Sequence, residues 1–170
     1  MSRSSRLSLL ILAVFVLLMA DQLTKLWVYF TLTPGESTAL WGPIDLTLVF
    51  NRSNAFGIVP DVGEATRWVL AALNVAVASA LAYLVWRREG TWAAFSGCAF
   101  IIAGAVGNAV DRIWLGAVID MFDASQVGFI WVFNVADVLI DIGIGLWLVD
   151  TLLGKAENRP AQPASTCRGP

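Results

Sequence analysis

Histidine is absent from this 170-residue chain, and cysteine occurs only twice, at Cys98 and Cys167. The first absence removes zinc sites of the His-Glu-x-x-His type, Ser-His-Asp triads and Ser-His dyads. The two cysteines are far apart, one in an apolar run and one in the tail, with no metal-ligand spacing. Charge is scarce too: 14% of residues are Asp, Glu, Lys or Arg, against ~25% in an average soluble domain. No basic run or aromatic-basic stripe is present, so nucleic acid is not an expected partner. Chemistry is left to carboxylates, hydroxyls, Lys and Asn, and no metal or cofactor is expected.

What the chain has instead is apolar surface. Apolar residues make up 58%, mean hydropathy is +0.71, and there are eight Trp. A small soluble domain could not hide this much apolar surface. Four long apolar segments stand out, at about 7–30, 66–86, 91–110 and 131–153. Each is long enough, at ~1.5 Å rise per residue, to cross a ~30 Å hydrocarbon core. Backbone polar groups must be satisfied internally in lipid, so these segments are expected to be helices. The expected fold class is an all-α membrane protein, a single integral membrane domain over 1–170 with four transmembrane helices.

The start of the chain, with Arg3 and Arg6 before an apolar run, looks like a signal peptide. The run continues past Asp21 to Phe30 with no Ala-x-Ala-like exit, so a retained anchor is expected. Arg3, Arg6, Arg87, Arg88, Lys155, Arg159 and Arg168 fall on one side of a four-span chain. Only Arg52, Arg67 and Arg112 fall on the other, which predicts that both termini are cytoplasmic. The outer loops are then 31–65 and 111–130. In the first, Ile44 to Phe50 alternates and reads as a strand, a small β element. The tail 154–170, rich in Pro, Ala and Ser, is expected to be flexible.

Ionisable groups inside a membrane are costly and raise a functional hypothesis by default. Asp21 lies ~21 Å up from the inner end of the first helix, with Lys25 one turn further out, free to snorkel. Asn108 lies ~26 Å and Asp111 ~30 Å up the third helix, and Asp137 is ~9 Å in from the outer end of the fourth. Three helices thus bring polar groups to one level in the outer leaflet, with Asp120 in the loop above. Asn134 and Asp137 share a face, and Asp141 is a turn deeper. Asp21 with Lys25 could be a plain intrahelical pair, and the Asn side chains could tie helices together. Asp137 has no basic neighbour on its own helix. A second carboxylate, a basic residue from another helix, or protonation must account for it.

Five motifs in order then resemble lipoprotein signal peptidase (signal peptidase II), the bacterial intramembrane aspartyl protease family. They are Asp21-Gln22-Leu23-Thr24-Lys25, Asn51 to Gly57, Gly107-Asn108 to Asp111-Arg112, Gly116 to Asp120-Met121-Phe122, and Phe133-Asn134-Val135-Ala136-Asp137. The resemblance implies that Asp120 and Asp137 are the catalytic dyad. It implies that Asp21, Lys25, Asn51, Asn108, Asp111, Arg112 and Asn134 line or brace the site. One departure is visible: Arg52-Ser53-Asn54 stands where the family commonly has small residues after its Asn. The implied reaction is removal of signal peptides from diacylglyceryl-modified prolipoproteins by cleavage before the lipidated cysteine. The implied location is the bacterial cytoplasmic (inner) membrane, with membrane lipids as neighbours, a monomeric enzyme and a site toward the extracytoplasmic leaflet. A transporter subunit would carry polar groups through both leaflets, often with repeat symmetry. A structural scaffold would not need unpaired Asp at that depth.

Overall fold

In the computed structural model, the described residues are 3–53, 63–87 and 90–157, the side chains of 154–157 excepted. Helix α1 runs Arg3–Thr31 and is followed by strands β1 (Ser37–Trp41) and β2 (Ile44–Asn51). Helices α2 (Glu64–Arg87) and α3 (Trp92–Leu115) come next, then β3 (Val118–Asp123), β4 (Val132–Phe133) and α4 (Val135–Glu157). The strands form one antiparallel sheet in the order β1-β2-β3-β4.

Among the described residues, three helices, α1, α2 and α3, are long and apolar enough to cross a membrane. Helix α4 has 23 residues but carries Asp137, Asp141 and Asp150. The protein is thus mostly helical and membrane-spanning, with a small sheet.

Helix α3 is the hub, packed against α4, α2 and α1, whereas α2 and α4 barely touch. Its start is capped by the Thr91 side chain, which accepts from the Ala94 N–H. It ends at Gly116, whose φ of +80° is the left-handed geometry that glycine adopts freely. Small residues let α4 approach α3 closely. A Cβ on Gly97 would lie 2.9 Å from the Gly143 carbonyl oxygen, so neither glycine has room for a side chain. The core between α1, α2 and α3 is built from Leu10, Ala78, Val85, Phe95, Cys98 and Ile102, with neighbouring alanines. A second core, Val28, Leu32, Leu46, Leu48, Ile119 and Met121, seats the sheet on the end of α1.

Several boundaries differ from the sequence expectation. Helix α3 does not stop near Val110: it continues through Asp111 and Arg112 to Leu115, because those polar groups are paired inside the protein. The segment 111–130, expected as a loop, contributes β3, so Asp120 sits on a strand. Trp131 to Phe133 is not the start of a helix, since Val132 and Phe133 pair with Asp123 and Phe122, and α4 begins at Val135. Helix α4 also runs on through Glu157, into the expected tail. The rest of that tail, Arg88, and the motif residues Asn54 to Gly57 lie outside the described residues.

Candidate active site

Strand alternation aims Asp120. Ile119 and Met121 enter the core against α1, so Asp120 between them points to the other face. Val49 pairs with Asp120 and Asn51 with Val118, so Asn51 is a diagonal neighbour of Asp120 on that face. Its Nδ2 donates to Asp120 Oδ2 at 2.9 Å.

The start of α4 supplies the second carboxylate. Asn134 is the residue before the helix, and its Oδ1 accepts from the Asp137 N–H at 3.1 Å. Asp137 Oδ2 in return accepts from the Asn134 N–H at 3.2 Å. This is a capping box, with Asn and Asp in the two roles. The Asn134 Nδ2 donates to Asp120 Oδ1 at 2.6 Å, so one residue holds both carboxyl groups. Asn108 on α3 completes the frame by donating from Nδ2 to Asp137 Oδ1 at 2.9 Å.

A second layer of charge lies beneath. Lys25 is 1% exposed, which excludes the outward snorkelling expected from sequence. Its Nζ is 2.9 Å from Asp21, 2.8 Å from Asp111, and donates to Asn108 Oδ1 at 3.1 Å. The reason is local charge: two buried carboxylates from different helices need one cation between them. Asp21 also accepts from the Ala136 N–H at 2.8 Å, and Asp111 from the Ile119 N–H at 3.3 Å. Asp21 and Lys25 are therefore an intrahelical pair, but one that also ties α1 to α3, with Asp21 reaching α4. Arg112 donates to the carbonyls of Asn108 and Ser53, at 3.2 and 3.0 Å. Its buried Nε has no partner among the described residues.

All nine residues singled out from sequence fall in this one region. Asp120, Asn134, Asn108, Asp21, Lys25, Asp111 and Arg112 are buried, while Asn51 and Asp137 are half-exposed. Asp137, Asn108 and Arg112 line a cleft of about 570 Å³ between α2 and α4, roofed by Phe129, Trp131 and Phe133. Burial first, and then the charge of Asp137, push the Asp120 carboxyl up to about 7, against the opposing pull of Asn51, Asn134 and Lys25. Among the described residues, no three of His, Cys, Asp and Glu converge in a metal-holding group.

Two contributors escaped the sequence reading. Gln22 donates to Asp21 at 3.0 Å, Asp111 at 3.1 Å and the Gly107 carbonyl at 3.3 Å, bridging α1 and α3. Its place beside Asp21, in an otherwise apolar helix, was the available signal. Arg67 on α2 donates to the carbonyls of Arg112 and Ile113, both at 2.7 Å, closing the end of α3. Gly107, inside a quoted motif, is required because a Cβ there would collide with the Asp21 carboxylate.

Fold and site together define a helical membrane protein whose buried carboxylates converge beneath a small sheet. The chain belongs to the signal peptidase (SPase) II family, a family of proteases, whose sequence profile matches residues 13–153. It is 40% identical to a lipoprotein signal peptidase of Caulobacter vibrioides, over 93% of each chain. It is 39% identical to one of Gloeobacter violaceus, over 91% of this chain and 88% of the other. Among solved structures, one bacterial membrane enzyme superposes with a TM-score of 0.80 at 23% identity, over 91% of this chain and 94% of that one. Another gives 0.75 at 26% identity, over 85% and 93%.

Proposed function

We propose that this membrane protease removes signal peptides from diacylglyceryl-modified prolipoproteins, with Asp120 and Asp137 as its acid–base pair. One observation carries the assignment of the pair: Asn134 donates to both carboxyl groups, from Nδ2 to Asp120 and from its N–H to Asp137, and Asp137 lines the cleft. Burial, and then the charge of Asp137, raise the Asp120 carboxyl to about 7, which lets it hold a proton near neutral pH.

The chemistry follows. The substrate carbonyl enters beside the pair. One carboxylate takes a proton from water as its oxygen attacks the carbonyl carbon, and the protonated partner donates to the carbonyl oxygen. The tetrahedral intermediate then collapses. The C–N bond breaks, the leaving nitrogen takes a proton from the pair, and the signal peptide departs with a new carboxyl end. Asn51, Asn108 and Asn134 orient the carboxyl groups. The uncommitted Nε of Arg112 is a donor for a substrate carbonyl, and Asp21, Lys25 and Asp111 brace α1, α3 and α4.

In this reading α4 is a fourth span, with its three carboxylates turned toward protein or cleft. The chain is one membrane domain and works as a monomer, with both termini in the cytoplasm. The sheet lies at the extracytoplasmic face of the inner membrane, and the lipid-bearing substrate slides in from the outer leaflet.

Cleavage of a lipid-modified prolipoprotein tests the pair directly. Asp120→Asn and Asp137→Asn keep side-chain size and are expected to insert normally. Each should lose about 10²–10⁴-fold in rate. The double variant should be little worse than either single, since the two act as a unit. Retained cleavage in either single variant would sink the assignment.

A further inference from the structure

The two walls of the cleft, α2 and α4, barely touch, so its width depends on how each is held to α3. Helix α4 is fastened along its length: Gly143 lies against Gly97, the Ala136 carbonyl against Gly104, and Asp137 is bonded to Asn108. Helix α2 is fastened in its inner half by the apolar core around Ala78 and Val85. Its outer half gives Leu70, Leu73 and Asn74 to the cleft, and Arg67 stands one turn nearer the outer end than Leu70. The Arg67 guanidinium reaches across to α3. Nε donates to the Arg112 carbonyl and Nη2 to the Ile113 carbonyl, both at 2.7 Å. Nη1 pairs with the exposed Glu64 at 3.1 Å, and the guanidinium carbon lies 4.8 Å from the centre of the Trp68 ring. Carbonyls in the last turn of a helix carry the negative end of its dipole, so a cation there makes two charge-assisted bonds.

We propose that Arg67 is a positioning residue that sets the width of the cleft beside Asp137, and through it the capture of substrate. This rests on the reading of that cleft as the substrate's place. Arg67 stands ~16 Å along the helix from Ala78, so a tilt of about 10° about that point moves it by ~3 Å. The direct polar ties of Arg67 to α3 oppose such a tilt. Leu70 and Asn74 follow Arg67 at i+3 and i+7, on the same face, so the wall moves with it. Asp120, Asp137 and Asn134 are held by β2, β3, α3 and α4 without help from α2. Loss of Arg67 should therefore weaken binding and spare the acid–base step.

The test uses the full chain in lipid-containing micelles with a lipid-modified prolipoprotein. Arg67→Met keeps the stem and removes the donors. It should raise KM by about tenfold, the scale of one charge-assisted hydrogen bond, with kcat within about twofold. Arg67→Lys keeps a cation with donors and should recover most of the loss. Glu64→Gln removes only the exposed ion pair and should change neither constant. Spin labels on Val69→Cys and Ile142→Cys, both exposed positions, read the separation of the walls in a chain that also carries Cys98→Ala and Cys167→Ser. The distance distribution should be narrow with Arg67, broad in Arg67→Met and narrow again in Arg67→Lys. If Arg67→Met fails to insert, Arg67→Gln carries the same comparison with Arg67→Lys. Unchanged KM, a fall in kcat alone, or an unchanged distance distribution would each overturn the proposal. Asp120→Asn reports the catalytic reading separately: if it still cleaves, that reading fails, while the distances still decide the role of Arg67.

Discussion

Asn134 does three jobs with one side chain and its own N–H. It caps α4, fixes Asp137 and donates to Asp120. Asp120 itself titrates in a buried place, and the sign of the consequence can be worked out. Its folded value of about 7 lies above the ordinary 3.8. Between those values the unfolded chain has lost a proton that the folded chain keeps, so stability falls as pH rises through that window. The slope is at most about 1.4 kcal/mol per pH unit. Asp120→Asn should therefore be more stable than the wild type by a margin that widens up to about pH 7 and then levels. Thermal unfolding in detergent across pH 4 to 8 reads this, and a margin independent of pH would contradict it. Cleavage by the wild type should decline above pH 7, as Asp120 loses its proton.

Lys25 supplies a second prediction at the same scale. It is enclosed by Asp21, Asp111 and Asn108. Removing it leaves two buried carboxylates without their cation, a loss typically worth about 3–5 kcal/mol. Lys25→Met should thus destabilise more than Asp21→Asn or Asp111→Asn, each of which leaves Lys25 one carboxylate. Equal melting temperatures among the three would show that the trio is not coupled. The sequence made these residues visible through the price of charge in lipid, but it could not show that Lys25 stays inside. That depended on Asp111, which comes from another helix 86 positions on.

At the scale of elements, α1, α2 and most of α3 were legible because long apolar runs leave no other structure in a bilayer. The sheet was only half legible. Ile44 to Phe50 alternates and announces β2, whereas Val118 to Asp123 is a short stretch whose pairing is set by β2. Trp131 to Phe133 merged with the apolar run of α4 because hydropathy does not mark a helix start, and only the Asn134 cap does. The α3–α4 contact gives this scale its prediction. Gly97→Val would push a side chain into the Gly143 carbonyl and beside Trp147, whose ring carbon is 3.1 Å from the added Cβ. The overpacking should cost about 1–3 kcal/mol. Activity per folded molecule should persist, because the contact lies two turns and more from Asn108. A melting temperature equal to the wild type's would show that α4 can slide away without loss.

For the whole molecule the sidedness of the site decides whether the substrate can reach it. The sheet caps one end of the bundle, on the termini of α1, α3 and α4, and both carboxyl groups sit beneath it. Arg3, Arg6 and Arg87 lie at the opposite end, as the chain direction of α1 and α2 requires. Positive side chains favour the cytoplasmic side, so the sheet end should face outward. A reporter active only outside the cytoplasm tests this at two points. Inserted in the turn between Trp41 and Ile44, which joins the edge strand β1 to β2 and is exposed, it should be active with little harm to the site. Fused beyond Glu157 it should be silent. The reverse pattern would open the cleft to the cytoplasm. Activity at both points would mean that α4 does not cross, and Asp137 and Asp141 would then sit on a helix lying at the membrane surface rather than lining a cleft within it.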